Sequence, residues 1–288
     1  MTAKEKYSRY CRENDLALYQ NDWWLEAVCG DNWDAVFTDG GGAFAFPYKK
    51  KYGLKLIGMP MLTLGLGPAG PEEPGKYLPP FDLFDLYFLP DFTDLKWKGF
   101  KEQTRHSYRI NDLSDIGKVF KSFASSTRQQ IRKAEKRISV SESEDVGLLY
   151  KMVSYTFGRQ AKKAPYTLEY VKRIDAACKA HLCRKILVAK DASGAVHGAC
   201  FLAWDRRTAY YVMGGSDPKF RSSAAYSLLM WQAIREASKH SRQFDFCGSS
   251  IPSIAKFFSG FGTTKVPYLH LKKVNSKALA WLLRLKKR

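Results

Sequence analysis

Residues 214–226 read Gly-Gly-Ser-Asp-Pro-Lys-Phe-Arg-Ser-Ser-Ala-Ala-Tyr, and they are the most informative segment for the fold class. It connects a predicted strand over residues 208–213 to a predicted long helix over residues 222–238. The N–H groups and the dipole at the start of a helix attract anions such as phosphate. Arg221 stands at this helix entry, and we interpret it either as a bidentate donor to phosphate or as an exposed arginine after a turn.

The segments around this stretch form an ordered series of helices and strands. Their order is two helices, three strands, the loop with its long helix, a strand, a short helix and a last strand. The predicted elements are helices at about 146–157 and 168–180, strands at 185–189, 196–204 and 208–213, the helix at 222–238, a strand at 243–246, a helix at 251–258 and a strand at 266–273.

The first half of the chain is predicted to start with a helix and a set of strands and to end with two helices. Gly40, Gly41 and Gly42 form a hairpin turn rather than a nucleotide-binding loop, because no helix pattern follows them. The second of the two closing helices is strongly basic. The predicted elements are a helix at 22–29, strands at 35–38, 43–48, 53–57, 84–89 and 106–110, and helices at 113–123 and 128–137.

Positive charge is concentrated beyond residue 100. The 288 residues include 47 basic and 28 acidic side chains, a formal net charge of +19. Residues 1–100 carry a net charge of −3, whereas residues 101–190 and 191–288 carry +11 each. This asymmetry is typical of proteins with a polyanionic partner such as nucleic acid, anionic lipid or a phosphate-bearing substrate. The alternative is a solubilising surface.

The composition also excludes several classes of protein. A chain that is 45% hydrophobic and 14% aromatic can form a packed core, so it is not a disordered chain. No apolar run reaches the roughly 18 residues that cross a bilayer, and the first residues show no apolar leader, so we expect a cytoplasmic protein. We interpret the six cysteines as thiols, and we expect no metal because Cys178, His181 and Cys183 lack a fourth zinc ligand nearby.

The order of elements in the second half resembles that of the GNAT N-acyltransferases. In that family the loop before the long helix binds the pyrophosphate of acyl-CoA, and the resemblance gives this role to Arg221, Ser222, Ser223 and Ala224. The family signature has glycines after the arginine position, whereas no glycine directly follows Arg221 here. The resemblance therefore implies acyl-CoA as the co-substrate, bound by a degenerate phosphate loop.

Four stretches resemble, in the same order, motifs of the Fem-type peptidyltransferases. Residues 60–68 read Pro-Met-Leu-Thr-Leu-Gly-Leu-Gly-Pro, and residues 126–136 read Ser-Thr-Arg-Gln-Gln-Ile-Arg-Lys-Ala-Glu-Lys. Residues 244–249 read Phe-Asp-Phe-Cys-Gly-Ser, and residues 257–262 read Phe-Phe-Ser-Gly-Phe-Gly. Those proteins transfer amino acids from aminoacyl-tRNA to peptidoglycan precursors. The resemblance implies an α/β (α+β) chain of two tandem GNAT-like domains, each a mixed, mostly antiparallel sheet flanked by helices.

Two function classes remain open at this point. The first is an N-acyltransferase or aminoacyltransferase that moves an acyl group from acyl-CoA or aminoacyl-tRNA to an amine of an anionic, cell-envelope-type acceptor. The second is a non-catalytic GNAT-fold protein that binds RNA or anionic lipid through its basic surface. Phe258 stands where the Fem-type motif has a lysine, which favours the second class. The intact order of strands and helices favours the enzyme.

Two further groups of residues are candidates for the chemistry. Asp245 ends a predicted strand before a glycine turn, where a carboxylate can accept a proton from an attacking amine or simply cap the next loop. Arg159, Lys162, Lys163 and Tyr166 lie in the loop between the first two helices of the second half. In GNAT folds this loop helps to cover the acceptor, so the resemblance implies that these residues bind an anionic acceptor. The alternative is a solvated surface.

We predict three parts of the chain: a degenerate N-terminal GNAT-like domain with basic linking helices over residues 1–137, a GNAT-like domain with the active cleft over 138–273, and a basic amphipathic helix over 274–288. Such a helix either lies on an anionic membrane or packs on the first domain. We favour packing, with peripheral contact of the last four residues at the inner face of the membrane. The expected partners are a phosphate-rich small molecule or tRNA, and no specific DNA, since no groove-reading motif occurs.

Overall fold

A computed structural model of the protein describes residues 1–70, 74–158, 161–248 and 251–285. The chain divides into two compact units, the first formed by Met1–His106 with Pro267–Arg288 and the second by Ser107–Val266. In this division residues 107–137 group with the second unit. The predicted domain boundaries after residues 137 and 273 stay predictions.

The α-helices and strands of the described residues alternate along the chain. In chain order they are α1 (Ala3–Glu13), α2 (Asp22–Cys29), β1 (Trp33–Phe37), β2 (Ala43–Lys51), β3 (Leu54–Gly58), β4 (Leu83–Tyr87), β5 (Lys101–Ile110), α3 (Ile116–Ser122), α4 (Ser125–Glu135), β6 (Ile138–Ser143), α5 (Val146–Gly158), α6 (Leu168–Ala180), β7 (Arg184–Asp191), β8 (Val196–Trp204), β9 (Thr208–Ser216), α7 (Ala225–Ala237), β10 (Gln243–Asp245), α8 (Pro252–Ser259), β11 (Thr264–Val274) and α9 (Lys277–Leu285).

The first unit contains a mixed sheet in the order β1-β2-β3-β4-β11. The β3–β4 pair is parallel, and the other pairs are antiparallel. The rings of Phe44, Phe84 and Phe88 surround Trp97 at centroid distances of 5.3–5.6 Å. These aromatic contacts bury large apolar surfaces, which stabilises the unit.

The second unit contains a sheet in the order β5-β10-β9-β8-β7-β6. Only the β10–β9 pair is parallel in this part of the described structure. Strand β8 is buried from His197 to Trp204, as expected of a central strand covered on both faces. Helix α7 is buried on most of its surface as well, with Leu229, Met230 and Ile234 fully enclosed.

This mixed, mostly antiparallel α/β architecture confirms the predicted fold class. Several boundaries differ from the prediction. Helix α7 begins at Ala225 rather than at residue 222, because residues Pro218–Ser223 form a 3₁₀ helix and Ala224 has a left-handed backbone with φ of 57°. The elements α1 and β6 were not predicted, and α3 begins at Ile116 because the Asp115 carboxylate caps it by accepting from the N–H of Lys118.

Helix α9 belongs to the first unit and is only partly covered. Leu279 and Leu283 are half-buried, whereas Trp281, Leu282 and Leu285 are exposed. The predicted packing of this segment on the first unit therefore applies to one face of the helix. Of the last four residues, for which we predicted membrane contact, 286–288 lie outside the described residues. Among the described helices, none has the length and apolar character that crossing a membrane requires.

Candidate functional site

The second unit contains a cavity of about 830 Å³ between β9 and the helices α4, α7 and α8. This volume lies in the range of small-molecule and cofactor sites. The described residues that line the cavity include Gln130, Lys133, Thr156, His197, Tyr211, Gly214, Gly215, Ser216, Phe220, Arg221, Ser222, Ser223, Ala224, Tyr226, Ile254, Phe257 and Phe258.

The cavity exists because β9 and β10 pair over only part of their length. They pair in parallel from Thr208 to Tyr210, and β9 then continues to Ser216 alongside β8. A bulge occurs in β9, since Leu202 pairs with Tyr211 and the preceding Phe201 pairs with Met213. A β-bulge bends its strand and changes the direction of the side chains beyond it. The bent end of β9 forms one wall of the cavity.

Two glycines allow close approach at this wall. A Cβ atom at Gly215 would overlap the carbonyl oxygen of Met152 in α5, and a Cβ at Gly214 would overlap the hydroxyl of Tyr226. Glycine is required where another backbone comes this close. Gly214 and Gly215 therefore determine both the packing of α5 on β9 and the shape of the cavity.

The predicted donor residues all line this cavity. Arg221 and Ser222 are exposed, while Ser223 and Ala224 are half-buried, and all four come directly before the first residue of α7. The cation and the hydroxyl groups are thus placed where N–H groups of a helix start and a helix dipole favour an anion. The left-handed conformation of Ala224 costs about 1–2 kcal/mol, which is typical of backbone held in place at a functional site.

A hydrogen-bonded chain of side chains holds the loop before α7. His197 is 6% exposed, its Nε2 lies 3.0 Å from Oδ2 of Asp191, and its Nδ1 lies 2.9 Å from Oγ of Ser223. The His197 ring also stacks on Phe220 with a centroid distance of 4.0 Å. Hydrogen bonds from Ser193 and His197 lower the pKa of Asp191 to about 2, so its carboxylate only accepts hydrogen bonds at neutral pH. This chain of contacts fixes the position of Ser223.

Two tyrosines meet inside the cavity. The hydroxyl oxygens of Tyr211 and Tyr226 lie 2.6 Å apart. Burial raises the pKa of Tyr211, although the hydrogen bond with Tyr226 opposes this. The Tyr211 hydroxyl therefore stays protonated at neutral pH, and both tyrosines line the cavity.

Helix α4 contributes a cation to the same cavity. Gln130 is joined to α7, because its Oε1 accepts a hydrogen bond of 2.8 Å from the Ser227 hydroxyl. Lys133 lies one turn further along α4 and is exposed at the cavity. The predicted basic helix is thus positioned beside the loop of Arg221.

The opposite part of the cavity is apolar. Phe257, Phe258 and Ile254 from α8 line it. Phe258 is 4% exposed and packs against the rings of Phe246 and Tyr211 at 4.7 and 6.0 Å. This residue, which replaces the lysine of the Fem-type motif, is therefore part of the core and closes the apolar end of the cavity.

Asp245 is enclosed by other protein groups. It is fully buried, and its carboxylate accepts hydrogen bonds from the Ser107 hydroxyl, from Nε of Arg109 at 3.0 Å and from the N–H of Cys247 at 2.7 Å. Burial raises the pKa of Asp245, while the Arg109 guanidinium opposes this increase. Asp245 does not occur among the described residues that line the cavity. Its assignment as the proton acceptor stays a prediction.

Of the predicted acceptor residues, Lys162, Lys163 and Tyr166 are not among the described residues that line the cavity. Lys162 and Lys163 are exposed, and Arg159 lies outside the described residues. Tyr166 is half-buried between Phe157 and Tyr170, its backbone carbonyl accepts from the Tyr150 hydroxyl at 3.0 Å, and burial raises its pKa. Of the described residues of α5 and of the segment between α5 and α6, Thr156 is the one that lines the cavity.

Within the described ranges, no group of three or more His, Cys, Asp or Glu side chains is arranged to hold a metal ion. Cys178 and Cys183 are buried, and the Cys183 thiol donates to the carbonyl oxygen of Cys178 at 3.5 Å. Their contacts are those of core thiols.

Sequence reasoning located the loop residues but missed His197, Tyr211, Tyr226 and Lys133. The loop residues are adjacent in sequence and precede a recognisable helix, which is a local signal. His197 and Ser223 are separated by 26 positions, and Tyr211 and Tyr226 by 15, so no spacing rule relates them. For Lys133 the signal was present, because its basic helix was predicted.

Comparison with known proteins agrees with this geometry. Residues 121–252 match the model of the acetyltransferase (GNAT) domain family. No curated protein matches the chain in sequence.

Several solved structures share the fold along nearly the whole chain. FemX is 13% identical with a TM-score of 0.70, covering 98% of both chains. The C-terminal domain of an Agrobacterium fabrum protein described as a lysylphosphatidylglycerol synthetase is 12% identical with a TM-score of 0.56, covering 97% of this chain and 95% of that one. A tandem GNAT protein from the clavulanic acid biosynthesis pathway is 10% identical with a TM-score of 0.53, covering 95% and 94%. At such identities the likeness shows the fold.

Proposed function

We propose that the chain, which has the fold of tandem, Fem-like GNAT proteins, is an acyltransferase that moves an acyl or aminoacyl group from acyl-CoA or aminoacyl-tRNA to an amine. The observation that carries this proposal is the cavity of about 830 Å³, with cations and hydroxyls before α7 at one end and aromatic rings of α8 at the other. A donor with a phosphate-rich part and a less polar acyl part matches both ends.

The charge of the second unit supports a phosphate-bearing donor. Residues 107–266 contain 27 basic and 13 acidic side chains, a net charge of +14, whereas the residues of the first unit carry +5. Lys133 and Arg221 place part of this charge at the cavity itself. A positively charged cleft raises the local concentration of anionic ligands and their association rate.

The proposed reaction forms one C–N bond and breaks one C–S or C–O bond. The amine of the acceptor attacks the carbonyl carbon of the thioester or ester, loses a proton, and the thiol or hydroxyl of the donor leaves with a proton. The Tyr211–Tyr226 pair is the candidate donor of a hydrogen bond to the carbonyl oxygen or to the leaving group, because its hydroxyls lie in the cavity and Tyr211 stays protonated.

Asp245 is proposed to act on the shape of the site. The hydrogen bonds to Ser107 and Arg109 fix the end of β10, and the bond to Cys247 fixes the turn that follows. A carboxylate held in this way fixes the turn that precedes α8, the helix whose Ile254, Phe257 and Phe258 line the cavity. Proton acceptance by Asp245 needs access for the amine or a bridging water, and the buried carboxylate supports the positioning role more strongly.

The acceptor is proposed to be an anionic, cell-envelope-type amine. The charge at the cavity and the exposed Lys162 and Lys163 favour an anionic acceptor. One of the similar structures belongs to a protein described as a lysylphosphatidylglycerol synthetase, a name that refers to an aminoacylated phospholipid. This similarity supports a phosphate-bearing acceptor of the cell envelope. The amine is proposed separately, since phosphatidylglycerol offers hydroxyl groups and no amine.

The rival function is binding of RNA or anionic lipid without catalysis. It is favoured by the loop before α7, which contains Ala224 in a left-handed conformation where glycine is the usual residue. Non-specific binding to a polyanion depends steeply on salt, whereas a donor bound in the cavity buries its acyl part in apolar surroundings. The two functions therefore differ in their response to ionic strength.

Calorimetric titration of the full chain tests the proposal. The ligands are acetyl-CoA, a long-chain acyl-CoA, aminoacyl-tRNA and uncharged tRNA, each at about 50 and about 200 mM salt. We expect one donor to bind with a stoichiometry of one and with an affinity that changes less with salt than that of uncharged tRNA. If every ligand shows only the salt-sensitive binding of uncharged tRNA, the transferase proposal is wrong and the rival function is supported.

A further inference from the structure

Helix α9 presents an apolar stripe on the surface of the first unit. Trp281, Leu282 and Leu285 are 62%, 50% and 49% exposed, and Ala278 is exposed beside them. Their positions follow the spacing i, i+3, i+4 and i+7, which places them on one face of a helix. Three large apolar side chains exposed together on one short helix mark an interaction surface rather than scattered surface residues.

The stripe is held in a defined place by the other face of the helix. Leu279 and Leu283, on that other face, are half-buried. The N–H of Asn275 and its side-chain amide donate to the carbonyl oxygens of Asp82 and Phe81, both at 2.9 Å. Ser276 then caps the helix, because its hydroxyl accepts from the N–H of Leu279 at 3.3 Å. The helix is therefore anchored to the unit while its stripe faces outward.

The segment that contains the stripe has only positively charged side chains. Residues 267–288 contain seven basic side chains and no acidic one, whereas residues 1–106 carry a net charge of −2. Lys277 and Arg284 of α9 are exposed, and at 100° per residue they lie beside the stripe, next to Trp281. The segment thus combines an apolar stripe, a tryptophan and flanking cations on one surface.

We propose that α9 lies on membranes that contain anionic phospholipids, with Trp281, Leu282 and Leu285 inserted among the acyl chains and Lys277 and Arg284 at the headgroups. Short basic helices with an apolar face and tryptophan bind in the interface plane in this way. Basic residues that lie within about a Debye length of an anionic surface strengthen the attraction to it. This inference goes beyond the transferase activity and does not depend on it.

Charge also distinguishes a membrane from a second copy of the chain. Pairing two α9 stripes would bring two segments of net charge +7 together, because each segment contains seven basic residues and no acidic one. Like charges in contact destabilise an interface. An anionic lipid surface satisfies the apolar stripe and the cations at once.

Vesicle sedimentation of the full chain tests this proposal. The probes are vesicles of phosphatidylcholine alone and of phosphatidylcholine with about one-third phosphatidylglycerol. We expect the protein to sediment with the anionic vesicles and to remain mostly in solution with the neutral ones. The triple variant Trp281→Ala, Leu282→Ala and Leu285→Ala is expected to lower the partition coefficient at least tenfold. The matched control Tyr52→Ala with Leu182→Ala removes side chains that are 89% and 86% exposed elsewhere and is expected to leave it unchanged.

The melting temperature shows whether the triple variant is folded, and it is expected to match that of the wild type because the replaced side chains are exposed. The double variant Lys277→Gln with Arg284→Gln serves as a second variant that removes only charge. The proposal is overturned if anionic vesicles bind the wild type no better than neutral ones, or if the triple variant binds as the wild type does. It is also overturned if analytical ultracentrifugation shows that the stripe mediates a dimer and vesicle binding is unchanged.

Discussion

Arg221 is the residue whose replacement separates function from folding most cleanly. It is exposed, it lines the cavity, and it lies in the 3₁₀ helix before α7. A charge-assisted hydrogen bond to phosphate contributes about 1.5–3 kcal/mol. An exposed arginine with no structural role adds little to the stability of the fold.

The variant Arg221→Ala is expected to weaken donor binding about tenfold or more while the melting temperature changes by no more than about 1 °C. Calorimetric titration and thermal unfolding measure the two quantities. Arg206→Ala is the matched control, because Arg206 is also exposed but precedes β9, at the end of this strand away from the cavity. Equal donor affinities of the two variants would show that Arg221 does not contact the donor.

Glu236 makes the stability of α7 depend on pH. It is 9% exposed and accepts hydrogen bonds from Lys185, Lys239 and His240 at 2.6–3.1 Å. Burial alone raises its pKa, but these hydrogen bonds prevail and lower the pKa from 4.5 to about 2. Between pH 4.5 and about 2 the unfolded chain binds the proton of Glu236 more readily than the folded chain does. The contribution of Glu236 to the free energy of unfolding is therefore fully present above this range and is lost as the pH falls toward 2.

The variant Glu236→Gln is expected to be about 2 kcal/mol less stable than the wild type at neutral pH, because the charge that Lys185 and Lys239 contact is removed. The difference should shrink as the pH falls from about 4.5 to about 2. Urea unfolding across this pH range measures it. The exposed Glu169→Gln is the control and should change stability by less than about 0.5 kcal/mol. A difference that is constant with pH would contradict the role assigned to Glu236.

Among single residues, the sequence reveals those whose role is signalled by their neighbours. Arg221 was predicted from its place before a helix, and Ser223 from the resemblance to the GNAT signature at the same loop. His197 was not, because its contact with Ser223 depends on how the β7–β8 hairpin meets the loop before α7. The burial of Asp245 depends in the same way on Arg109, which pairs with it across β5 and β10.

At the level of elements, the site is formed where β9 packs against α5 and lies beside the start of α7. Gly215 lies where the backbone of α5 passes β9, and Gly214 lies beside the two tyrosine hydroxyls. Helix α7 starts three residues later than predicted, which leaves Ser222, Ser223 and Ala224 in the loop and at the cavity.

Gly215→Ala is expected to destabilise the second unit by about 3 kcal/mol, because the added methyl group overlaps the carbonyl oxygen of Met152 and both are backbone-fixed. Thermal or urea unfolding measures the change. Gly158→Ala is the matched control: among the described residues nothing lies within 4 Å of its Cβ position, so its effect should stay within about 0.5 kcal/mol. Equal stabilities of the two variants would show that α5 does not pack as closely on β9 as the fold requires.

The missed elements have weak sequence signals. Strand β6 alternates only partly, with Ile138 buried and the rest of the strand half-buried or exposed. Its pairing with β7, rather than its own propensity, stabilises it. The central strands β8 and β9 were predicted because burial on both faces produces long apolar runs.

For the whole molecule, the two compact units are not two consecutive halves of the sequence. The first unit is completed by the last part of the chain, since His270–Val274 of β11 pairs with Leu83–Tyr87 of β4. Motif order and element order predicted the tandem GNAT fold correctly. They did not predict that the last strand contributes to the first unit, because strand pairing between distant segments has no local signal.

Deleting residues 267–288 is expected to destabilise the first unit by about 5 kcal/mol, because β4 loses a partner strand and the buried Leu269 and Leu271 are removed. Limited proteolysis should then digest residues 1–106 and leave the second unit resistant. Deleting only residues 277–288 is the control, since it keeps β11 and should leave the first unit resistant. Resistance of both truncated proteins would contradict the observed division of the chain.

We propose that the acyl donor binds in the cavity of the second unit. Hydrogen–deuterium exchange of the full chain, with and without the donor that binds in the titration, tests it most directly. Binding is expected to slow exchange in residues 211–226, which include the end of β9 and the start of α7 along the cavity. Strands β1–β3 of the first unit should exchange as before. Unchanged exchange in residues 211–226, or protection confined to the first unit, would contradict the account.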